Sequence, residues 1–187
     1  KCEIHHITDR EYETFVKANH IQGYAPASIR IALKHDGNIV SIMSFSKRRG
    51  IYRRKSTYDD TEYEMIRYCT ALNTMVVGGA AKLLSRFASE VTDCTITTYA
   101  DKRYFTGETY LKLGFEKDGD TPPNYWYIFG NNRSHRFNHR KSVLVKNGAD
   151  PKKTEHEIMA EKNIKHIYDC GNTRYVLRIN NKNAVQK

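Results

Sequence analysis

Four sets of residues in this 187-residue chain could do chemistry. Gly78-Gly79-Ala80 opens a segment with helical periodicity. Backbone N–H groups at a helix start favour a phosphate, and glycine lets a ligand approach the backbone closely. The same glycines could simply make a tight strand-to-helix turn. Asp101 closes the strand-like run Thr98-Tyr99-Ala100. A carboxylate there could be a base or a ligand, or it could cap the next turn through Thr106 or a backbone N–H. Tyr110, with Tyr104 near it, offers a phenolic general acid. His20, in a polar loop over residues 19–23, could act as a general base, contact a nucleotide, or be a structural loop histidine.

Metal chemistry has less to work with. His135 and His139 have the i, i+4 spacing of helical ligands, but no third ligand stands at a suitable distance, so no metal site is expected. Cys2, Cys69, Cys94 and Cys170 are far apart and form no CxxC, which argues against a zinc ribbon and for a reducing compartment. Cys69 and Cys94 lie in apolar runs and read as buried thiols. Gly50-Ile51-Tyr52 spells half of a GIY-YIG nuclease motif without the rest, and no paired carboxylates of a metal nuclease appear.

The second chemical signal is charge. The chain carries 31 Lys+Arg against 21 Asp+Glu, a net charge of +10. Six bases fall within nine residues: Lys47, Arg48, Arg49, Arg53, Arg54 and Lys55. Residues 130–187 hold 13 Lys+Arg and 5 Asp+Glu, so they supply +8 of the total. Arg133, Arg136, Arg140 and Lys141 are spaced to fall on one side of a helix or an extended arm. Such clusters neutralise phosphates, and Tyr52, Tyr58 and Phe137 lie among them. Nucleic acid is the expected partner, double-stranded DNA where these arginines enter a groove, and the alternative is a solvated cationic face.

These residues need elements to hold them. A strand over residues 2–7 leads into a capping box, Thr8 with Glu11, and a first helix to about Ala18. Residues 29–35 and 39–45 read as strands joined at Asp36-Gly37-Asn38, a hairpin signal. Residues 62–70, 95–99 and 125–129 read as further strands. Val77, Ala80, Ala81, Leu84, Phe87, Ala88 and Val91 give the apolar stripe of a second helix, and residues 107–113 a short third one. Thr154 and Glu157 form a second capping box opening a helix to about Asn163. Residues 164–170 and 174–179 read as a hairpin around Gly171-Asn172. The sum is an α+β fold with a mixed sheet flanked by helices. It divides into a core over 1–130 and a small basic subdomain over 131–187. No run of 18 apolar residues suggests a membrane span. The start at Lys1, without Met, reads as a cut that leaves a domain upstream.

The order of parts around VVGGAAKLL, TYADKRY and ETYLKLGF resembles the cofactor cleft of GNAT acyl-CoA transferases. Two narrower resemblances meet on the same residues. The strings KCEI, ANHIQG, GNIVSIMSFSKRR, YEMIRYCTALNTMVVGGAAKLL, TYADKRYFTGETYLKLGF, PNYWYI and IYDCGN look like the C-terminal region of bacteriophage homing endonucleases. That resemblance implies a cofactor-free DNA-recognition part, positioning an upstream nuclease in the cytoplasm of an infected bacterium. TYADKRYFTG with the following tyrosine is also similar to Mom-type phage DNA-modification proteins, which are GNAT-like and transfer a group to adenine. That alternative implies acetyl-CoA or a related acyl-CoA, with His20, Asp101 and Tyr110 at the reaction site and Gly78, Gly79 and Ala80 on the cofactor. The GNAT phosphate loop reads Q/R-x-x-G-x-G/A, and this chain departs from it with Met75 in the first position.

Overall fold

The computed structural model describes residues 1–47 and 61–180. Arg48, Arg49, Arg53, Arg54 and Lys55 lie outside the described residues. In chain order the elements are β1 (Glu3–His6), α1 (Asp9–Asn19), β2 (Ile29–His35), β3 (Asn38–Lys47), β4 (Glu62–Thr70), α2 (Gly79–Glu90), β5 (Cys94–Asp101), α3 (Glu108–Lys112) and β6 (Glu116–Asp120). Then come β7 (Tyr125–Phe129), β8 (Asn132–His135), a 3-10 turn (Arg136–His139), α4 (Lys141–Lys146), α5 (Glu155–Glu161), β9 (His166–Tyr168) and β10 (Asn172–Ile179).

The chain forms two units. The first takes the described residues of Lys1–Tyr99, Gly107–Gly119 and Arg174–Lys187; the second takes Ala100–Thr106 and Asp120–Thr173. This differs from a division at residue 130, because β7 joins the second unit and β10 returns to the first. The large sheet has the order β1-β2-β3-β4-β5-β10-β6. β1 to β4 are joined antiparallel, and β4 meets β5 parallel.

Alternation along the central strands explains where the first unit's helices sit. Ala32 and Ile42 point to one face and pack with Tyr12 and Val16 of α1. Ile31, Leu33, Met43 and Phe45 point to the other face and are fully buried. There Phe87 of α2 stacks on Phe45 at 3.7 Å and meets the edge of Tyr63 at 5.2 Å. Burying each such side chain contributes about 1.5–3 kcal/mol. The helix α1 starts where its capping box puts it: Thr8 Oγ1 accepts from the Glu11 N–H, and Glu11 accepts from the Thr8 N–H. Those bonds, with Lys34 adding to them, hold the Glu11 carboxyl down at about 2.

Two elements depart from the sequence reading. β6 has the sequence EKDGD and no buried residue, so it carries no apolar alternation. It forms because β10 lies beside it and the Arg174 guanidinium donates to the Asp118 carbonyl at 2.9 and 3.1 Å. The expected hairpin around Gly171-Asn172 is absent: β9 pairs with β7 in one sheet and β10 runs in the other.

In the second unit β8, β7 and β9 make a three-stranded sheet in that order. Tyr125 and Tyr127 of β7 pack with Leu144 of α4 and with Ile158 and Met159 of α5. The second capping box closes as expected, Thr154 with Glu157. Glu155, in the next position, accepts from both tyrosine hydroxyls at 2.8 and 3.0 Å and pins α5 to β7.

Candidate active site

Parallel neighbours normally keep evenly spaced bonds along their length. β4 and β5 do not. They register over Glu62↔Thr95, Tyr63↔Ile96 and Glu64↔Thr97, and Thr98 Oγ1 then donates to the Met65 carbonyl at 3.3 Å. Beyond that point β4 keeps its β3 partners as far as Thr70, and β5 no longer registers against it. The strands part into a wedge.

Tyr110 of α3 enters this region from the β5 side. Its hydroxyl is hydrogen-bonded to the Thr98 side chain, and burial raises its pKa above the usual phenol value. Its ring packs on Phe115 at 5.8 Å and Tyr175 at 5.4 Å. From β4 comes Arg67, whose Nε donates to the Gly23 carbonyl at 2.9 Å and Nη1 to that of Ile66 at 2.8 Å. The charge of Arg67 bears on Tyr12, His20, Cys69 and Tyr110 alike, which sets it among all four. Cys69 is pushed up to about 12, mainly by burial, so it is an inert thiol.

His20 caps the end of α1, and its Nδ1 accepts from the Gln22 N–H at 3.1 Å. An acceptor at Nδ1 puts the ring proton on Nε2, so neutral His20 presents a donor there rather than a base. Burial first and Arg67 second lower its pKa from 6.5 to about 4. A depressed histidine stabilises the fold above pH 6.5, and that contribution is lost as pH falls through the folded value. His20→Gln is therefore expected to flatten the stability loss between pH 6.5 and 4 by about 1–3 kcal/mol, discounted for partial exposure. Urea unfolding of both proteins at pH 7 and pH 4.5 reads the difference.

Asp101 belongs to the second unit and is 5% exposed. Its Oδ1 accepts from the Arg103 backbone N–H and Nε, each at 3.0 Å, and its Oδ2 from Nη2 at 2.6 Å. Turn capping by a backbone N–H, one of the roles the sequence leaves open, is present here and is reinforced by a bidentate ion pair.

At the start of α2, Gly78 has φ +70 and no side chain caps the helix. A Cβ on Gly78 would meet nothing within 4 Å, so its backbone is open to a ligand. A Cβ on Gly79 would lie 2.8 Å from Val76 Cγ1, so this second glycine serves close packing. The Gly79 N–H donates back to Val76 and that of Lys82 to Gly78, with the N–H groups of Ala80 and Ala81 between them. Exposed Leu72, Met75 and Val77 lie on the loop before the helix.

The basic residues do not share one side of a helix or arm. Arg133 lies on β8, Arg136 in the 3-10 turn, Arg140 at the cap of α4 and Lys141 in its first turn. Arg133 lies over Trp126 at 4.9 Å and Arg136 over Tyr125 at 4.7 Å. Neighbours on one strand face opposite ways, so these two arginines serve opposite faces of the small sheet. Arg140 lies over Phe137 at 4.1 Å, and Lys47 over Tyr63 at 5.0 Å.

The part that Arg67, Thr98, Tyr175 and Gly107 play around the Tyr110 hydroxyl is not visible in the sequence pattern. Arg67 alone left a trace, as a charge inside the apolar run MIRYC. Among the described residues no group of three or more His, Cys, Asp or Glu is arranged to hold a metal, and no helix is long and apolar enough to cross a membrane.

No protein-family model and no curated sequence matches the chain. Solved structures do. The ribosomal-protein-S18-alanine N-acetyltransferase of Escherichia coli superposes with a TM-score of 0.56 at 9% identity, covering 100% of this chain and 99% of its own. An aminoglycoside 6'-N-acetyltransferase complexed with coenzyme A gives 0.56 at 11% identity, covering 95% and 97%. A Bacillus subtilis acetyltransferase in complex with CoA gives 0.52 at 12%, covering 95% and 99%. The fold is that of the GNAT acetyltransferases.

Proposed function

We propose that the first unit is an acyl-CoA-dependent N-acyltransferase and that DNA carries its acceptor amine. The observation that carries this reading is the parting of β4 from β5 with the Tyr110 phenol tied to Thr98 beside it. The residues fit a CoA-type donor. The uncapped start of α2, with open Gly78, suits a pyrophosphate, and the wedge where β4 and β5 part suits an extended arm. Met75 stands where GNAT loops carry Gln or Arg, which leaves phosphate binding to the backbone. A bound acyl-CoA would supply an activated thioester. Tyr110, kept protonated by burial, holds a proton at its hydroxyl as a general acid. Arg67 adds fixed positive charge near that hydroxyl. The net charge of +10 supports a polyanionic acceptor. The cofactor-free recognition reading has less support, since its described arginines divide between two faces.

Calorimetry with acetyl-CoA tests the donor. Stoichiometric binding is expected, weakened at least about tenfold by Ala81→Glu, whose carboxylate would oppose a phosphate. The same substitution places an acid in the first helical turn, which should hold or raise the melting temperature. Absence of binding to the unaltered protein rejects the proposal.

A further inference from the structure

The second unit carries a ring cluster that acyl transfer does not use. Tyr125 forms its floor, with its hydroxyl fixed on Glu155 at 2.8 Å. Around it stand His156 at 5.0 Å, His166 at 5.5 Å and Tyr168 at 5.6 Å, measured between ring centroids. His166 also touches His156 at 5.1 Å and Tyr168 at 5.3 Å. The Arg136 guanidinium lies 4.7 Å over the Tyr125 ring. The floor is buried, but the rim is open: His156, His166 and Arg136 are exposed, and Tyr168 is 60% exposed. Arg136 belongs to the stretch 130–149, which contains five Lys+Arg and no acid.

Ring faces on a fixed floor beside a cation suit one kind of partner. A duplex hides its base faces in the stack, whereas unpaired bases offer them to tyrosine, histidine and arginine planes. A guanidinium held over a ring has lost part of its freedom already, so less is lost when it takes a phosphate. We propose that this cluster binds unpaired nucleotides, with bases on Tyr168 and His166 and a phosphate on Arg136. The inference rests on the reading that DNA carries the acceptor and names the form in which the strand is held.

The test is fluorescence anisotropy of the full chain, without acyl donor, against a labelled oligo-dT and a hairpin duplex of equal length. The single strand should bind more tightly. Tyr168→Ala and Tyr168→Leu should each weaken it by roughly 5- to 150-fold, the range of base–ring stacking, with duplex binding unchanged. Arg136→Gln should lower the single-strand salt slope by about 0.7. Emission of Trp126, the one tryptophan, reports that the second unit stays folded. Equal or tighter binding of the duplex, or single-strand affinity within twofold after either Tyr168 substitution, overturns the proposal. Because no donor is present, this result and the acetyl-CoA calorimetry can fail independently.

Discussion

Tyr110→Phe is expected to lower acetyl transfer from acetyl-CoA to DNA by about 10²- to 10⁴-fold, the usual contribution of one positioned acid. The substitution keeps the ring that packs on Phe115 and Tyr175, so α3 should hold its place. It removes one hydrogen bond to Thr98, worth about 1 kcal/mol of stability. Donor binding should change less than threefold, because the lost proton matters in the transition state and not in the ground state. Incorporation of labelled acetyl, measured beside calorimetry, separates the two. A rate within threefold of the unaltered protein would remove Tyr110 from the chemistry.

Gly107→Ala should destabilise the first unit by about 2–5 kcal/mol. Gly107 has φ +83, where an L side chain costs about 1–2 kcal/mol. Its new Cβ would lie 2.0 Å from the Tyr175 hydroxyl and 2.4 Å from Cζ, and such overpacking adds about 1–3 kcal/mol. For a chain of this size the melting temperature should fall by about 4–20 °C. Gly119→Ala is the control: its φ is +96, but a Cβ there meets nothing within 4 Å, so only the backbone cost applies. Equal melting temperatures for the two variants would show that Tyr175 yields freely. Because Gly107 caps α3, the clash should also displace Tyr110 and slow transfer.

Patterns that repeat locally are legible in the sequence itself. The capping boxes at Thr8 and Thr154 name their own bonding partners three residues on, and both close. The stripe of α2 is legible in part: Leu84 and Phe87 lie buried on it, but Val77 stands exposed ahead of the helix, Ala81 is exposed, and the fully buried Leu83 falls outside the expected spacing. What failed were inferences that long-range pairing decides. β6 has no pattern to find, because Arg174, 56 residues away, holds it in place. Gly171 signalled a turn correctly, with φ +72, but a turn signal does not say which sheet the chain enters next. Asp101 and Tyr110 stood out equally in sequence. That Arg103 pairs with the one and Thr98 with the other is an arrangement no local pattern announces.

β10 lies between β5 and β6, though about 70 residues of synthesis separate it from the former. A ribosome that has delivered everything up to residue 170 has therefore made two strands with a vacancy between them. The first unit must wait, half-zipped, until almost the whole described chain has emerged. Nascent chains arrested at increasing lengths should stay protease-sensitive in residues 94–120 and become resistant together once β10 clears the exit tunnel.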